Sequence, residues 1–351
     1  QVFLKQWILT QTTFRKEAVM KGLRLAVVFT CVVLALGIMG IKADVVQAEE
    51  VTLYWASFLP KNHPETKDVQ KYYMDKVNER AKGQLVIKYR GGPEVIAPPN
   101  LGTAVKNGVV DIGTIFVGVY EAIVPGVGGL MLTELTPDEE RQTGAIDYIV
   151  KLHQKHGLMF LGRAAPTKDN FFYFFLNKKV EKLEDFKKMK LGTATALRAA
   201  AKAWGASVTP LKLSQYYSAM ERNLVDGVPG CPIPTWVAFG AHEVTKYVLD
   251  HQFYQSTAVA IMNSGKWNKL PDNLKKIMND AMVEFQKEKM VIGTKGVAWA
   301  RKKMMDSGVE FYKFPPKDAE WLVNTANDAA WAYQNKRFPE VTKELKKRLT
   351  K

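Results

Sequence analysis

Cysteine is almost missing: the 351-residue sequence has two, Cys31 and Cys231. A disulfide-stapled scaffold is thereby excluded. Histidine is scarce as well, with five. His153 and His156 lie three apart on a helical stretch, but no third ligand is near in the chain, so no metal centre is expected. His242-Glu243 lacks the second histidine of a zinc-protease motif. No nucleophile elbow, phosphate loop or dinucleotide fingerprint occurs. Neither catalysis nor a cofactor is therefore expected. Low-hydrophobicity stretches of the kind that stay disordered are missing too, as are the repeated apolar runs of a multi-span membrane protein. Acidic residues are outnumbered 35 to 50 by basic ones, which gives a net charge of +15.

One apolar run does occur. Residues 20–24 (Met20, Lys21, Gly22, Leu23, Arg24) are followed by an apolar stretch over residues 25–41, then by Val46-Gln47-Ala48. A basic start, an apolar stretch and small residues at the cleavage positions describe a secretory signal cut after Ala48. The stretch is short for a bilayer span. Residues 1–19 read as an upstream extension and residues 20–48 as the signal. The first 48 residues carry six basic and two acidic side chains, so about +11 remains beyond them. Mixed signs in the lysine patches at residues 178–190 and 343–351 suit solvated faces and not a nucleic-acid groove. Cys31 leaves with the signal. Cys231 is then a lone thiol, expected to be buried.

Beyond residue 48, strand and helix signals alternate. Residues 51–58 are β-rich. Pro64 suits a first helical turn and Glu65 its positive N-terminus, and Val69, Tyr73, Val77 and Ala81 recur at helical spacing until Gly83. Residues 85–89 and 109–116 read as strands. Thr136 caps a helix that starts at Pro137 and runs to Gly157. Residues 159–162 and 171–177 are strands again, and from residue 271 to about 306 the pattern is helical throughout. Such alternation predicts an α/β fold with largely parallel sheets.

The second half repeats the first. Ala104-Val105-Lys106-Asn107-Gly108-Val109-Val110-Asp111 matches Ala219-Met220-Glu221-Arg222-Asn223-Leu224-Val225-Asp226, each with glycine within two residues (Gly113, Gly227). Each unit follows a helix–glycine–strand step, at Gly83 and at Gly205. Two lobes are expected, each a mixed sheet flanked by helices, with the long C-terminal helix bracing both. Strand ends of the two sheets would face a ligand cleft. Asp111 and Asp226, at equivalent places, read as turn formers and not as a glycosidase pair. The expected layout is lobe I over residues 49–171 and lobe II over 172–255. Residues 256–305 would be the return segment and bracing helix, and 306–351 C-terminal helices closing lobe II. Residues 171–177 would cross between lobes and residues 256–263 cross back.

His63-Pro64, Gly91-Gly92-Pro93-Glu94-Val95, Asn107-Gly108-Val109-Val110-Asp111, Leu183-Glu184-Asp185-Phe186-Lys187, Leu224-Val225-Asp226-Gly227 and Met262-Asn263 before Trp267, in this order, resemble the substrate-binding proteins of tripartite ATP-independent periplasmic (TRAP) transporters, the DctP-like family. The resemblance covers residues 50–350. It implies a two-lobe periplasmic-binding-protein fold and a receptor that closes on a small organic solute, most often a carboxylate. Such a receptor docks on a permease of one small and one large membrane subunit, driven by an ion gradient. A cleaved signal and a periplasmic location go with it. The sequence departs from the family pattern at its ligand positions. Gly192 stands where the family's carboxylate-pairing arginine would be, Tyr173 takes the hinge-strand position of an Arg or His, and Pro229-Gly230-Cys231-Pro232 follows the second Val-Asp-Gly.

The candidate ligand residues follow from these positions. Arg163 and Arg198 are replacement cations for an acid, the latter beside Gly192 and Thr193 at a helix N-terminus. Glu94 is a counter-ion for an amine. Trp55, Phe58 and Tyr120 are aromatic walls, Tyr173 lies at the hinge, and Cys231 and Trp236 follow the second repeat unit. The leading expectation is a receptor for an organic acid. A small amine or neutral polar solute, and a sensor presenting its ligand to a signalling partner, are the alternatives.

Overall fold

The computed structural model describes residues 20, 49–166 and 171–351. The upstream-extension and signal readings, Met20 aside, lie outside the described residues. No helix among the described residues is long and apolar enough to cross a membrane.

Eleven strands are seen among the described residues: β1 (Val51–Ser57), β2 (Leu85–Gly91), β3 (Ile112–Phe116), β4 (Leu158–Arg163), β5 (Phe171–Leu176), β6 (Lys190–Thr193), β7 (Ser207–Pro210), β8 (Gly227–Cys231), β9 (Tyr247–Gln255), β10 (Ala258–Asn263) and β11 (Glu310–Tyr312). They form two sheets, ordered β2-β1-β3-β10-β4 and β11-β9-β5-β8-β6-β7. In the first sheet β1 runs parallel to β2 and β3, while β10 is antiparallel to β3 and β4. In the second, β6 runs parallel to β7 and β8, while β5 is antiparallel to β8 and β9. Position by position, β2-β1-β3-β10-β4 corresponds to β7-β6-β8-β5-β9. Each lobe thus receives its one antiparallel strand directly after the chain leaves the other lobe.

The duplication reaches single hydrogen bonds. Asp111 accepts from Tyr54 N through Oδ2 at 2.7 Å, and Asp226 accepts from Lys190 N in the same way at the same distance. The carbonyl of Asp111 receives Asn263 N, and that of Asp226 receives Asn177 N, both at 2.9 Å. Both preceding turns need a left-handed residue, met by Gly108 (φ 74°) and Asn223 (φ 53°). The two aspartates are therefore turn formers that lock the central strands, as the repeat implied.

Residues 171–177 do not act as a connector between lobes, because β5 is paired along its length inside the second sheet. Residues 256–257 make the return, and β10 already belongs to the first sheet. Helix Asp272–Asp306 is one continuous 35-residue element. Leu274, Met278, Ala281, Met282 and Phe285 join the apolar core of the first lobe, and Ala300 and Met304 join a core of the second. One helix is buried in both lobes, which is the expected brace. The expectation that residues 306–351 all close lobe II needs correction. Helix Pro316–Arg337 does pack there, with Trp204 Nε1 donating to Leu322 O at 2.9 Å. Helix Pro339–Leu349 turns back to lobe I, where Leu345 fills the space over Gly129 and Leu349 O receives Glu134 N at 2.8 Å. Lobe II is cored by aromatic contacts: Phe174 lies 4.7 Å from Trp204, 4.9 Å from Phe253 and 5.7 Å from Phe186, ring centre to ring centre.

Candidate functional site

Open α/β sheets take ligands outside the carboxyl ends of their parallel strands. In this chain those ends lead into residues 58–63 after β1, 117–119 after β3, the turn Thr195–Leu197 after β6, and Pro232 with helix Ile233–Ala238 after β8. The two sets of loops meet. The rings of His63 and Phe239 are 6.0 Å apart, those of Phe116 and Phe172 6.1 Å. A Cβ placed on Gly118 would lie 3.1 Å from Ala196 Cβ. Each pair joins one lobe to the other, so the inner faces are closed upon each other.

On the lobe II side, Thr193 is fully buried at the end of β6 and its hydroxyl has no hydrogen-bond partner. Arg198 opens helix Arg198–Ala203. It is half-buried, its Nε is buried without a partner, and no carboxylate pairs with it among the described residues. Every other arginine described here is either exposed or paired with an acid. Gly192 is closed off. A Cβ there would fall 2.4 Å from Leu211 Cδ1 and 3.3 Å from Val225 Cγ1. Leu211 fills the room a longer residue would need, so the surroundings of Gly192 are apolar. Cys231 is buried, as expected, and burial together with the negative charge of Glu65 pushes its thiol pKa up. The buried ring of Tyr216 stands near Cys231, and burial raises its pKa as well.

On the lobe I side, Glu65, His63, Asp68 and the buried Lys289 form a cluster that the sequence pattern did not mark. Helix Pro64–Val69 places the first three, and the bracing helix supplies Lys289, whose ammonium is bonded to Asp68. Ser57, the last residue of β1, fixes this helix start through Thr66, with Oγ to Oγ1 at 3.2 Å. Burial raises the Glu65 pKa, Lys289 opposes the shift and Asp68 adds to it. The one signal available was position: Glu65 lies just past the end of β1. It read as a partner for the helix dipole because any acid in a first turn does.

Several expected ligand residues serve the fold. Arg163 is 4 % exposed, and its guanidinium donates to Glu140 Oε1 at 3.0 Å, to Leu135 O at 3.3 Å and to Gln255 Oε1. Glu140 is buried too and also accepts from Thr133. Since Arg163 ends β4 and Gln255 ends β9, the arginine ties together the two strands that lead into the crossings; it is not free for a solute. Tyr120 is buried in lobe I with its hydroxyl 2.9 Å from His153 Nε2. Trp55 is buried and donates to Thr114 Oγ1 at 3.0 Å. Trp236 stacks on Phe175 at 4.1 Å and donates to Thr245 Oγ1 at 2.8 Å. Tyr173 is buried against lobe II and accepts from Gln252. These three rings and Tyr120 are core, because each has its polar atom satisfied inside its own lobe. Phe58 is partly buried and packs against two apolar clusters, one within lobe I and one that runs through both lobes. Glu94 is exposed. It accepts from Gly92 N at 2.6 Å and lines an open depression of about 430 Å³ with Lys61, Asn62, Lys67 and Gln70.

His153 has a neutral-ring arrangement. Nδ1 donates to Ile149 O at 2.7 Å, which leaves Nε2 to accept from the Tyr120 hydroxyl. Burial pulls its pKa down to about 4, and burial with Lys289 does the same to His63. A depressed folded-state pKa means that the unfolded chain binds the proton first. Stability is then complete above pH 6.5 and is lost as pH falls toward 4. Each histidine accounts for up to roughly 3 kcal/mol over that window. Urea midpoints measured at pH 7 and pH 4.5 should show the loss, and His153→Gln should lose less on acidification than the unaltered protein. An equal loss in both would contradict the assignment.

Among the described residues no group of three or more His, Cys, Asp or Glu side chains is placed to hold a metal.

A family model described as bacterial extracellular solute-binding protein, family 7 (DctP) matches residues 55–337. The sialic acid-binding periplasmic protein SiaP of Vibrio cholerae is 33% identical over 108 residues, a stretch covering 30% of this chain and 33% of that protein. The chain therefore matches about a third of that relative's length. Among solved structures, a TRAP periplasmic solute-binding protein of Desulfovibrio salexigens with bound orotic acid superimposes with a TM-score of 0.75 at 18% identity, over 86% of this chain and 99% of that one. A Bordetella pertussis extracytoplasmic solute receptor binding pyroglutamic acid gives 0.74 at 17% identity, over 85% and 99%.

Proposed function

Because the chain belongs to family 7 of the bacterial extracellular solute-binding proteins, we propose that it is a periplasmic receptor that captures a small organic acid between its lobes. It would then deliver the acid to the small and large subunits of a TRAP-type permease. The observation that carries this reading is Arg198, a half-buried guanidinium left without an anion, five residues after Thr193, whose hydroxyl is unpartnered at the end of β6. A guanidinium whose Nε is shut from water without a partner is set to receive an anion, and a planar two-donor group matches a carboxylate. The named ligands of the similar structures, orotic acid and pyroglutamic acid, are both acids. The permissive element is the pair of crossings, which lets the lobes separate for entry. The solute binds the closed form better and shifts the population toward it.

Native mass spectrometry of protein purified without refolding tests the reading. A retained small molecule that carries a carboxylate and leaves chemically unaltered is the expected result. A retained compound with no acid group, or one that turns over on the protein, would contradict it.

A further inference from the structure

Arg198, at the start of the helix that follows β6 in lobe II, lacks an anion, and Glu65, just past the end of β1 in lobe I, lacks a cation. The backbone N–H of Glu65 is held by His63 Nδ1 at 3.2 Å, yet no hydrogen bond or ion pair reaches its carboxylate among the described residues. Lys289 acts on Glu65 only from a distance, because its ammonium is committed to Asp68. Glu65, Asp68 and Lys289 therefore hold two acids against one base. His63 beside them stays neutral, its pKa lowered to about 4 by burial and Lys289. Across the gap lies Cys231, which feels the charge of Glu65 but offers no positive partner. Burial accordingly raises the Glu65 pKa. A fold keeps such a carboxylate at a cost unless something else completes it.

We propose that Glu65 reads a cationic nitrogen on the solute, so that the ligands of this receptor are small amino-bearing acids, with the ammonium at Glu65 and the carboxylate at Arg198. The inference rests on the reading of a solute held between the lobes and narrows its chemistry. Each lobe supplies one charge and lacks the opposite one, and a zwitterion completes both at once. Closure on a plain acid would leave Glu65 uncompensated, and closure on a plain amine would leave Arg198 so. Two charged contacts from opposite lobes also favour the closed state over the open one, since neither lobe alone holds both ends.

The test strips the protein of retained solute by dialysis in urea and refolds it. It then offers an equimolar mixture of the proteinogenic amino acids and their 2-hydroxy acid counterparts, with capture read by native mass spectrometry. Calorimetry follows on the captured pair with the unaltered protein, Glu65→Gln and Arg198→Ala. Capture of an amino acid is expected, at least tenfold tighter than its hydroxy counterpart. Glu65→Gln should abolish that preference while still binding the hydroxy acid, and Glu65→Asp should keep the preference at lower affinity. A hydroxy acid captured in preference, an unchanged preference in Glu65→Gln, or capture of neither set would each overturn the proposal. Where a hydroxy acid is bound and its binding is lost in Arg198→Ala, the acid receptor stands and only the zwitterion fails.

Discussion

Arg163→Ala is expected to cost about 3–5 kcal/mol of folding stability, with little change in which solutes are preferred. The guanidinium and its partner Glu140 are 5% and 1% exposed, 3.0 Å apart. Removing the arginine leaves a buried carboxylate whose remaining partner is the Thr133 hydroxyl. That residual charge, not the lost attraction, dominates the penalty, because a buried ion pair roughly balances its own desolvation. The double change Glu140→Leu with Arg163→Leu should therefore lose less stability than either single change. The same substitution also frees Gln255 at the end of β9, so the crossings should loosen. Denaturant midpoints of the unaltered protein, the single variants and the double variant decide the matter. A single Arg163→Ala variant within about 1 kcal/mol of the unaltered protein would show that the pair is not what holds these strands together.

Arg198→Ala is expected to weaken binding of the retained acid by about 100-fold, on the order of 3 kcal/mol, since two charge-assisted hydrogen bonds to a carboxylate would be lost. Stability should hardly move, because the side chain has no ion-pair partner in the protein to abandon. Arg198→Lys should recover only part of the affinity, as a point charge does not reproduce a planar fork. Calorimetry with the acid identified by mass spectrometry provides the measurement. Undiminished affinity in Arg198→Ala would remove the arginine from the site.

The two-lobe architecture was legible because the duplicated turns have to meet the same backbone demands in both lobes. An Asp that receives the N–H of a neighbouring strand, preceded by a left-handed Gly or Asn, leaves a pattern in the chain at 104–111 and again at 219–226. The bracing helix was legible from its uninterrupted period. The candidate ligand residues were less so, for a physical reason. A side chain at a strand end can face the cleft or fold back into the lobe, and the choice depends on partners remote in sequence. Glu140, which claims Arg163, lies 23 positions away in a first helical turn where an acid needs no further explanation. Trp55 and Tyr120 were likewise read as walls, though Thr114 and His153 satisfy their polar atoms internally. Glu65 went unmarked for the converse reason: a lack of partners is a property of three-dimensional surroundings alone. The apolar surroundings of Gly192 could not be read from the sequence, because Leu211, which crowds it, lies 19 positions on.

Small-angle X-ray scattering on the stripped protein, before and after saturation with the acid found by mass spectrometry, bears most directly on capture by two closing lobes. The saturated protein should have the smaller radius of gyration and a curve matching the closed arrangement in which His63 meets Phe239. Superimposable curves, with calorimetry confirming that the acid is bound, would contradict closure as the means of capture.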